Sequence, residues 1–227
     1  MKPPFVFVNV AMTADGKLAT PNRRIASPGS RRDIAHMMEL RTYADAVMSG
    51  ARTVDLNDAH LDPGAAKYRR MRLRHGLAEY NIRVIVSGSG SIDLKSDIFR
   101  KRHSPLIVLT SGRIPKRRLS ALQNLATEVK VFGEEEIDFR AAFAWLRKKW
   151  KVRRLLCEGG GEVNGAVFRA RLVDELHLTI CPYIFGGEDA PTLCDGEGVA
   201  HLEDAYQMRL RSMKRVADEL VMVFRRR

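Results

Sequence analysis

No stretch of this sequence approaches the roughly 18 consecutive apolar residues that a membrane-spanning helix needs, so an integral membrane role is not expected. Cysteine is scarce. Cys157, Cys181 and Cys194 are odd in number and lack CxxC spacing, which argues against a disulfide framework or a zinc site. Each reads instead as a small buried apolar side chain. The six histidines stand in no metal-ligand spacing, so no metal is expected, and His36 and His177 read as surface or capping residues. No Ser/His/Asp constellation appears. Linkers rich in Pro, Gly or Ser, internal repeats and low-complexity tracts are also missing, which favours one domain over 1–227. The amino terminus has only a short apolar run and no small-residue cleavage site, and a soluble, cytoplasmic protein is expected.

What the chain has in excess is positive charge, +12 at pH 7. Nucleic acid would attract such a chain through phosphate neutralisation, and so would a phosphorylated substrate with a phosphorylated cofactor, steered into a cleft. The basic residues cluster at 67–74, 100–102, 113–118, 147–154 and 225–227. None of these clusters is interleaved with aromatics as a base-stacking surface would be, so they read as solvated faces of helices and loops, and nucleic acid is not the expected partner.

Short β-rich runs alternate with helical ones. Residues 5–10 form an apolar, β-branched run, expected as a strand buried on both faces. Residues 30–41 place Ile34, Met37 and Met38 at helical spacing behind a capping Ser30. Further strands are expected at 44–48, 82–86, 106–109, 129–132 and 154–157, and helices at 116–125 and 162–170. Phe139, Phe143, Leu146 and Trp150 mark an amphipathic helix. Leu176, Leu178 and Ile180 alternate with Glu175, His177 and Thr179, which predicts a strand with one polar face. Two late strands, 206–213 and 219–225, have only a turn between them and should pair antiparallel. The whole predicts an α/β fold of three layers, α/β/α, with a mostly parallel mixed sheet and antiparallel carboxy-terminal strands. The basic segment 63–79 fits this least well. It reads as a solvated surface helix, with a flap or a partner surface as alternatives.

The most informative stretch is Cys157-Glu158-Gly159-Gly160-Gly161-Glu162-Val163-Asn164-Gly165. A β-run ends in three glycines and a helix starts at once. Glycine admits close backbone approach and positive φ, and the helix start offers N–H groups and a dipole to a pyrophosphate. The pattern is not GxGxxG and lies far from the first strand, which fits a Rossmann fingerprint poorly. At the end of the first strand stand Thr13, Asp15, Gly16 and Lys17, where open α/β sheets bind ligands. Ser49-Gly50-Ala51-Arg52-Thr53, Ser87-Gly88-Ser89-Gly90 and Thr110-Ser111-Gly112-Arg113 follow three other strands. Four strand ends bearing Gly, Ser or Thr suggest one groove for a long, nucleotide-like ligand.

Taken together, Asn9–Ala19 (NVAMTADGKLA), Leu40–Val54 (LRTYADAVMSGARTV) and Cys157–Gly187 (CEGGGEVNGAVFRARLVDELHLTICPYIFGG) resemble the riboflavin-biosynthesis reductases: the carboxy-terminal domain of the bifunctional RibD proteins and their free-standing archaeal relatives. The resemblance implies a dihydrofolate-reductase-like fold, a homodimer, and NADPH-dependent reduction of a ribosylamino-pyrimidine 5′-phosphate to the ribitylamino compound. It does not decide whether the base is the pyrimidinone or the uracil. No HxE joined to a PCxxC is present, so the companion deaminase activity is not expected. The resemblance assigns the turn from Gly160 onward to pyrophosphate, Ala11 and Thr53 to the cofactor, and Glu158, Arg41 and, more loosely, Leu61 to the substrate.

With the strand-end reading added, the expected cofactor set is Ala11, Thr53, Asn57, Ser87, Thr110, Arg113, Gly159, Gly160, Gly161, Glu162, Val163 and Asn164. Arg113 is placed for the 2′-phosphate. The expected substrate set is Asn9, Thr13, Asp15, Lys17, Arg41, Leu61 and Glu158, with Arg41 a bidentate phosphate donor. Glu158 or Asp58 would orient sugar hydroxyls or relay a proton during hydride transfer to C1′. The chain departs from the family at Asn57-Asp58-Ala59, at Asn9 where many members have Lys, and at Asp62-Pro63-Gly64, where an Arg is usual. These departures keep a dihydrofolate, pterin or other phosphosugar-amine reductase open as an alternative, and a non-catalytic basic nucleic-acid-binding protein as a more distant one.

Overall fold

A computed structural model describes residues 2–24 and 27–227. Its elements, in chain order, are β1 (Phe5–Thr13), α1 (Arg31–Arg41), β2 (Ala46–Gly50), α2 (Ala51–Asn57), α3 (Ala66–Arg74), β3 (Ile82–Val86), β4 (Leu106–Thr110), α4 (Lys116–Leu125), β5 (Glu128–Val131), α5 (Phe139–Lys149), β6 (Arg154–Cys157), α6 (Gly161–Arg169), β7 (Glu175–Cys181), β8 (Met208–Val216) and β9 (Glu219–Arg226). The described residues group into two compact units, 2–4 with Met38–Leu156, and 5–24 and 27–37 with Cys157–Arg227. Among the described residues, no helix is long and apolar enough to cross a membrane.

In the first unit the strands run in the order β5-β4-β3-β2-β6, and β2, β3, β4 and β5 pair parallel. Parallel ladders are covered on both faces, so their strands are apolar along their whole length. Every residue of β2 and β4 is buried. The helix expected from Phe139, Phe143 and Leu146 forms as α5, burying those three side chains. Asp138 caps it by accepting the Ala141 N–H at 3.0 Å, as an N-cap carboxylate should.

β2 begins two residues later than the sequence suggests. The reason lies in α3, inside the segment expected to be a solvated helix. The helix forms and most of it is exposed, as expected, but one face is not solvated: Tyr68 and Arg72 are buried, and Arg72 Nη1 donates to the carbonyls of Arg41 and Ala44, both at 2.6 Å. Ala44 therefore belongs to a turn, and its carbonyl is bound before the ladder starts. Burial draws the Arg72 guanidinium down to about 10. It remains a cation, and its charge is spread over carbonyl dipoles.

The second unit orders its strands β1-β7-β9-β8. β1 and β7 pair parallel, with Asn9 opposite His177 and Ala11 opposite Thr179. β7 and β9, then β9 and β8, pair antiparallel as expected, with a register shift between Leu210 and Ser212. The polar face predicted for β7 is not solvated. Glu175 is 8% and Thr179 1% exposed, because the amino-terminal turns of α1 carry polar partners to that face. Ser30 Oγ donates to Glu219 Oε2 at 2.7 Å, and the Thr179 hydroxyl bonds to the Asp33 carboxylate. The His36 and His177 rings lie 5.7 Å apart. His177 Nε2 donates to Glu175 Oε1 at 2.8 Å, and Arg225 Nε to Glu175 Oε2 at 2.7 Å. The His177 hydrogen bond, with help from Arg225, holds the Glu175 carboxyl down at about 2.

His36 and His177 are thus packed inside this polar layer, which corrects their reading as surface or capping residues. Burial, and then the neighbouring His177, draws the His36 imidazole down to about 4. Folded His36 refuses a proton that the unfolded chain accepts below about 6.5, so stability falls as pH drops from 6.5 towards 4. Melting temperatures across that window should fall in the parent protein and fall less steeply in His36→Leu. Equal slopes would mean that His36 is not held neutral.

Candidate active site

At two of the three glycines leaving β6, Gly159 and Gly161, a side chain would collide. A Cβ on Gly159 would stand 2.8 Å from the Val163 Cβ, and one on Gly161 would stand 2.6 Å from the Thr192 carbonyl oxygen and against the Asp195 carboxylate. One helical turn on, a Cβ on Gly165 would strike the Asp195 backbone carbonyl. None of Gly159, Gly160 and Gly161 lies at positive φ. This corrects the expectation of left-handed backbone: the glycines provide clearance alone. Asp195 is tied into this packing. Its Oδ1 accepts the Thr192 N–H at 2.9 Å and the Thr192 hydroxyl at 2.7 Å, and its own N–H donates to Gly161 O at 3.0 Å.

Gly160 precedes α6 in extended backbone and, as a glycine, has no side chain to cap the helix. Its first N–H groups and the positive end of its dipole therefore suit an anion. Asn164 is fully buried in α6. Its Oδ1 accepts from Cys157 Sγ at 3.5 Å, while its Nδ2 is buried without a hydrogen-bond partner among the described residues. Burial pushes the Cys157 thiol up to about 12, so it is not a nucleophile. Cys181 is buried as expected, but Cys194 is exposed, a correction to its reading. Glu158 stands between β6 and the glycines, half-buried, and Glu162 and Val163 lie in the first turn of α6.

At the end of β1, the Thr13 hydroxyl donates to Asp15 Oδ1 at 2.5 Å and accepts the Lys17 N–H at 2.9 Å. Asp15 also accepts the N–H groups of Gly186 at 2.7 Å and Phe185 at 3.2 Å. The Thr13 bond first, and then Gly186, hold its carboxyl at about 2. These polar atoms lock the β1 turn to the segment after β7. Asn9 lies further back in β1, 8% exposed, with its Oδ1 unpartnered among the described residues. Ala11 lies between them on the same strand, half-buried.

The remaining positions lie in the first unit. Ser87, Thr110 and Arg113 gather around Gly88. The Gly88 carbonyl accepts from Thr110 Oγ1 at 3.0 Å, Ser111 Oγ at 3.0 Å and Ser111 N at 3.2 Å. A Cβ on Gly88 would lie 3.2 Å from Arg113 Nη2, so the guanidinium rests over the bare glycine. Ser87 Oγ accepts the Ser91 N–H at 2.9 Å. Thr53 and Asn57 share α2, where Asn57 Nδ2 donates to Thr53 O at 3.0 Å. Asp58, the left-handed residue ending α2, has His60 Nε2 3.9 Å from its Oδ2. Leu61 is 1% exposed at positive φ, and its carbonyl accepts from the buried Asn81 amide at 2.6 Å. Arg41 is buried, with Nη1 donating to Asp62 O at 2.5 Å.

Residues 4–222 match the family described as the RibD C-terminal domain. The chain belongs to that family. Among RibD C-terminal domain relatives, a protein of Archaeoglobus fulgidus named 2,5-diamino-6-ribosylamino-4(3H)-pyrimidinone 5′-phosphate reductase is 34% identical over 86% of this chain and 87% of its own length. A protein of the same name from Aquifex aeolicus is 30% identical over 93% of this chain and 92% of its own. A solved pyrimidine reductase-like protein from Corynebacterium diphtheriae superposes with a TM-score of 0.80, at 21% identity, over 98% of this chain and 92% of that one. This likeness establishes the fold, the mixed α/β, dihydrofolate-reductase-like one that the sequence implies.

Asp195, Thr192 and Asn81 were not singled out by sequence reasoning. An Asp-Gly turn hints at Asp195, but nothing local marks Asn81 or the collision that makes Gly161 obligatory. The Gly161→Ala variant should lose about 1–3 kcal/mol, the usual cost of overpacking, and should weaken binding at the α6 turn. Gly198→Ala, where a Cβ meets nothing within 4 Å, should melt with the parent in calorimetry. Equal melting of both variants would show that the 192–195 segment does not pack on Gly161.

Proposed function

We propose that this chain is an NADPH-dependent reductase that converts a ribosylamino-pyrimidine 5′-phosphate to its ribitylamino product. The observation carrying the reading is the glycine start of α6 directly after a buried strand, in a chain whose relatives are named for that reaction. Those names also favour the diamino-pyrimidinone over the uracil as the base. The family match runs through both compact units, which supports treating 1–227 as one reductase domain.

Each unit, taken by itself, carries a glycine turn that suits a phosphate group of such a cofactor. In the second unit the glycine start of α6 would hold a pyrophosphate, and in the first unit Ser87, Thr110 and Arg113, gathered around Gly88, would hold a phosphate-bearing ribose. Arg113 receives the 2′-phosphate, a role that suits a planar fork of donors. Bound there, NADPH supplies the hydride. On the substrate side, Arg41 holds the 5′-phosphate. Its burial strengthens that contact, because charges attract more strongly where water is excluded. Glu158 orients the sugar hydroxyls and passes a proton, with Asp58 as the second carboxylate able to do so. Positioning accounts for most of the rate, since the chemistry belongs to the cofactor.

The test is NADPH oxidation by purified protein, with the diamino-pyrimidinone and the uracil ribosylamino phosphates offered separately. Turnover with the first and little with the second is expected, and no turnover with either would sink the reading. In the same assay, Arg113→Ala should raise the KM for NADPH about 10-fold, the loss of one charge-assisted contact, and leave NADH kinetics unchanged. An equal effect on both cofactors would remove Arg113 from the 2′-phosphate.

A further inference from the structure

Helix α3 carries a guanidinium that a solvated helix would not bury. Arg72 is 1% exposed. Besides the Arg41 and Ala44 carbonyls, it binds Ala78 O through Nε at 2.9 Å, so one side chain ties α3, the turn after it and the 41–44 turn together. The next turn of the chain adds to this grip. His75 Nδ1 lies 3.0 Å from Thr42 O, and its ring stacks on Tyr43 with 4.3 Å between centroids. The far end of Arg41 is fixed as well, since Asp62 O accepts its Nη1 and the neighbouring Leu61 is anchored by Asn81. Arg41 is therefore held by its own backbone carbonyl at one end and by its guanidinium at the other. A long, flexible side chain loses much freedom on meeting a ligand, and a site that has already ordered it binds more tightly.

We propose that Arg72 is a positioning residue for Arg41: through Arg72 and His75, the segment 63–79 clamps the 41–44 turn so that the Arg41 guanidinium faces the substrate phosphate in one orientation. The proposal rests on the reading that Arg41 meets that phosphate. It gives a reason for a basic helix to be docked where a short connection would serve, and it commits to a chemistry, a dianionic phosphate monoester on the ligand side.

The experiment compares full-length parent, Arg72→Lys, Arg72→Met, His75→Ala, Arg41→Met and the double variant Arg41→Met/Arg72→Met. Each is titrated with ribose 5-phosphate and with NADPH, and hydrogen exchange is followed at residues 41–45. Arg72→Met should weaken ribose 5-phosphate binding about 10-fold or more, with NADPH affinity within about twofold of the parent. Arg72→Lys should recover part of the loss, and His75→Ala should show a smaller loss of the same kind. The double variant should be no weaker than Arg41→Met alone, because both changes remove one arrangement. Exchange at 41–45 should quicken in the Arg72 variants while the rest of the chain keeps its protection. If Arg72→Met fails to fold, Arg72→Lys and His75→Ala carry the same comparison. Additive losses, or a parallel loss of NADPH and phosphate affinity, would overturn the clamp and leave Arg72 a structural residue. An Arg41→Met protein that binds ribose 5-phosphate like the parent would overturn it too. Failure of the parent to turn over either pyrimidine, with these phosphate effects intact, would instead overturn the proposed reaction and leave the clamp standing.

Discussion

A backbone carbonyl that leaves a buried parallel ladder must find another donor, and much of this molecule is arranged around that requirement. β2, β3 and β4 are buried along nearly their whole length, and protein donors serve the carbonyls around their ends. Gly88 O takes three donors after β3, Leu61 O takes the Asn81 amide, and Ala44 O takes Arg72. Arg83 reaches from β3 to the carbonyls of Ile98 and Ser104, and Arg118 binds Gly90 O at 2.7 Å. The Gly88 turn and the Leu61 segment are also among the places proposed above to meet a ligand. The demand that fixes the loops therefore also makes them rigid enough to bind.

This explains which parts of the fold were legible in the sequence. Strands and helices whose signal is periodicity came through closely: β3, α4 and β6 fall on their expected bounds, and α5 was evident from Phe139, Phe143 and Leu146. What periodicity cannot show is where a turn's carbonyl goes. Arg72 sits in a run of basic residues that pattern alone assigns to solvent, and only the position of Ala44 O, 28 residues earlier, makes its burial reasonable. The polar face of β7 is there as expected, but its cover was not visible for the same reason. Alternation gave its period correctly, but its coverage depends on Ser30, Asp33 and His36 arriving from a distant helix.

The glycine turn shows a similar division in the candidate site. Three consecutive glycines between a strand and a helix marked the place from sequence alone, and α6 begins there. Their cause was not visible. Glycine can be required by positive φ or by a neighbour's approach, and composition does not separate the two. Here the neighbour is the 192–195 segment, more than 25 residues onward, whose Asp195 and Thr192 occupy the space a methyl group would need. The strand-end residues Thr13 and Asp15 were found from sequence but with their partners unseen. Both are engaged in closing the β1 turn, so they shape the site through the backbone they hold.

Charge counted from sequence differs from charge presented at a surface. The total of +12 would suit a polyanion if the cations lined one face, yet some are buried or paired with carboxylates. Arg72 and Arg83 are about 1% exposed, Arg69 pairs with Glu79, Lys149 with Glu128, and Arg226 with Asp174. A nucleic-acid surface needs its cations free to replace counterions along a backbone, and each cation fixed to a carbonyl or carboxylate is withdrawn from that use. A small phosphorylated ligand asks for much less: one or two guanidiniums whose orientation is set in advance. Arg113 over Gly88 and Arg41 between Asp62 and the α3 contacts have that form, and in Arg72 and Arg83 arginine serves as internal scaffolding instead.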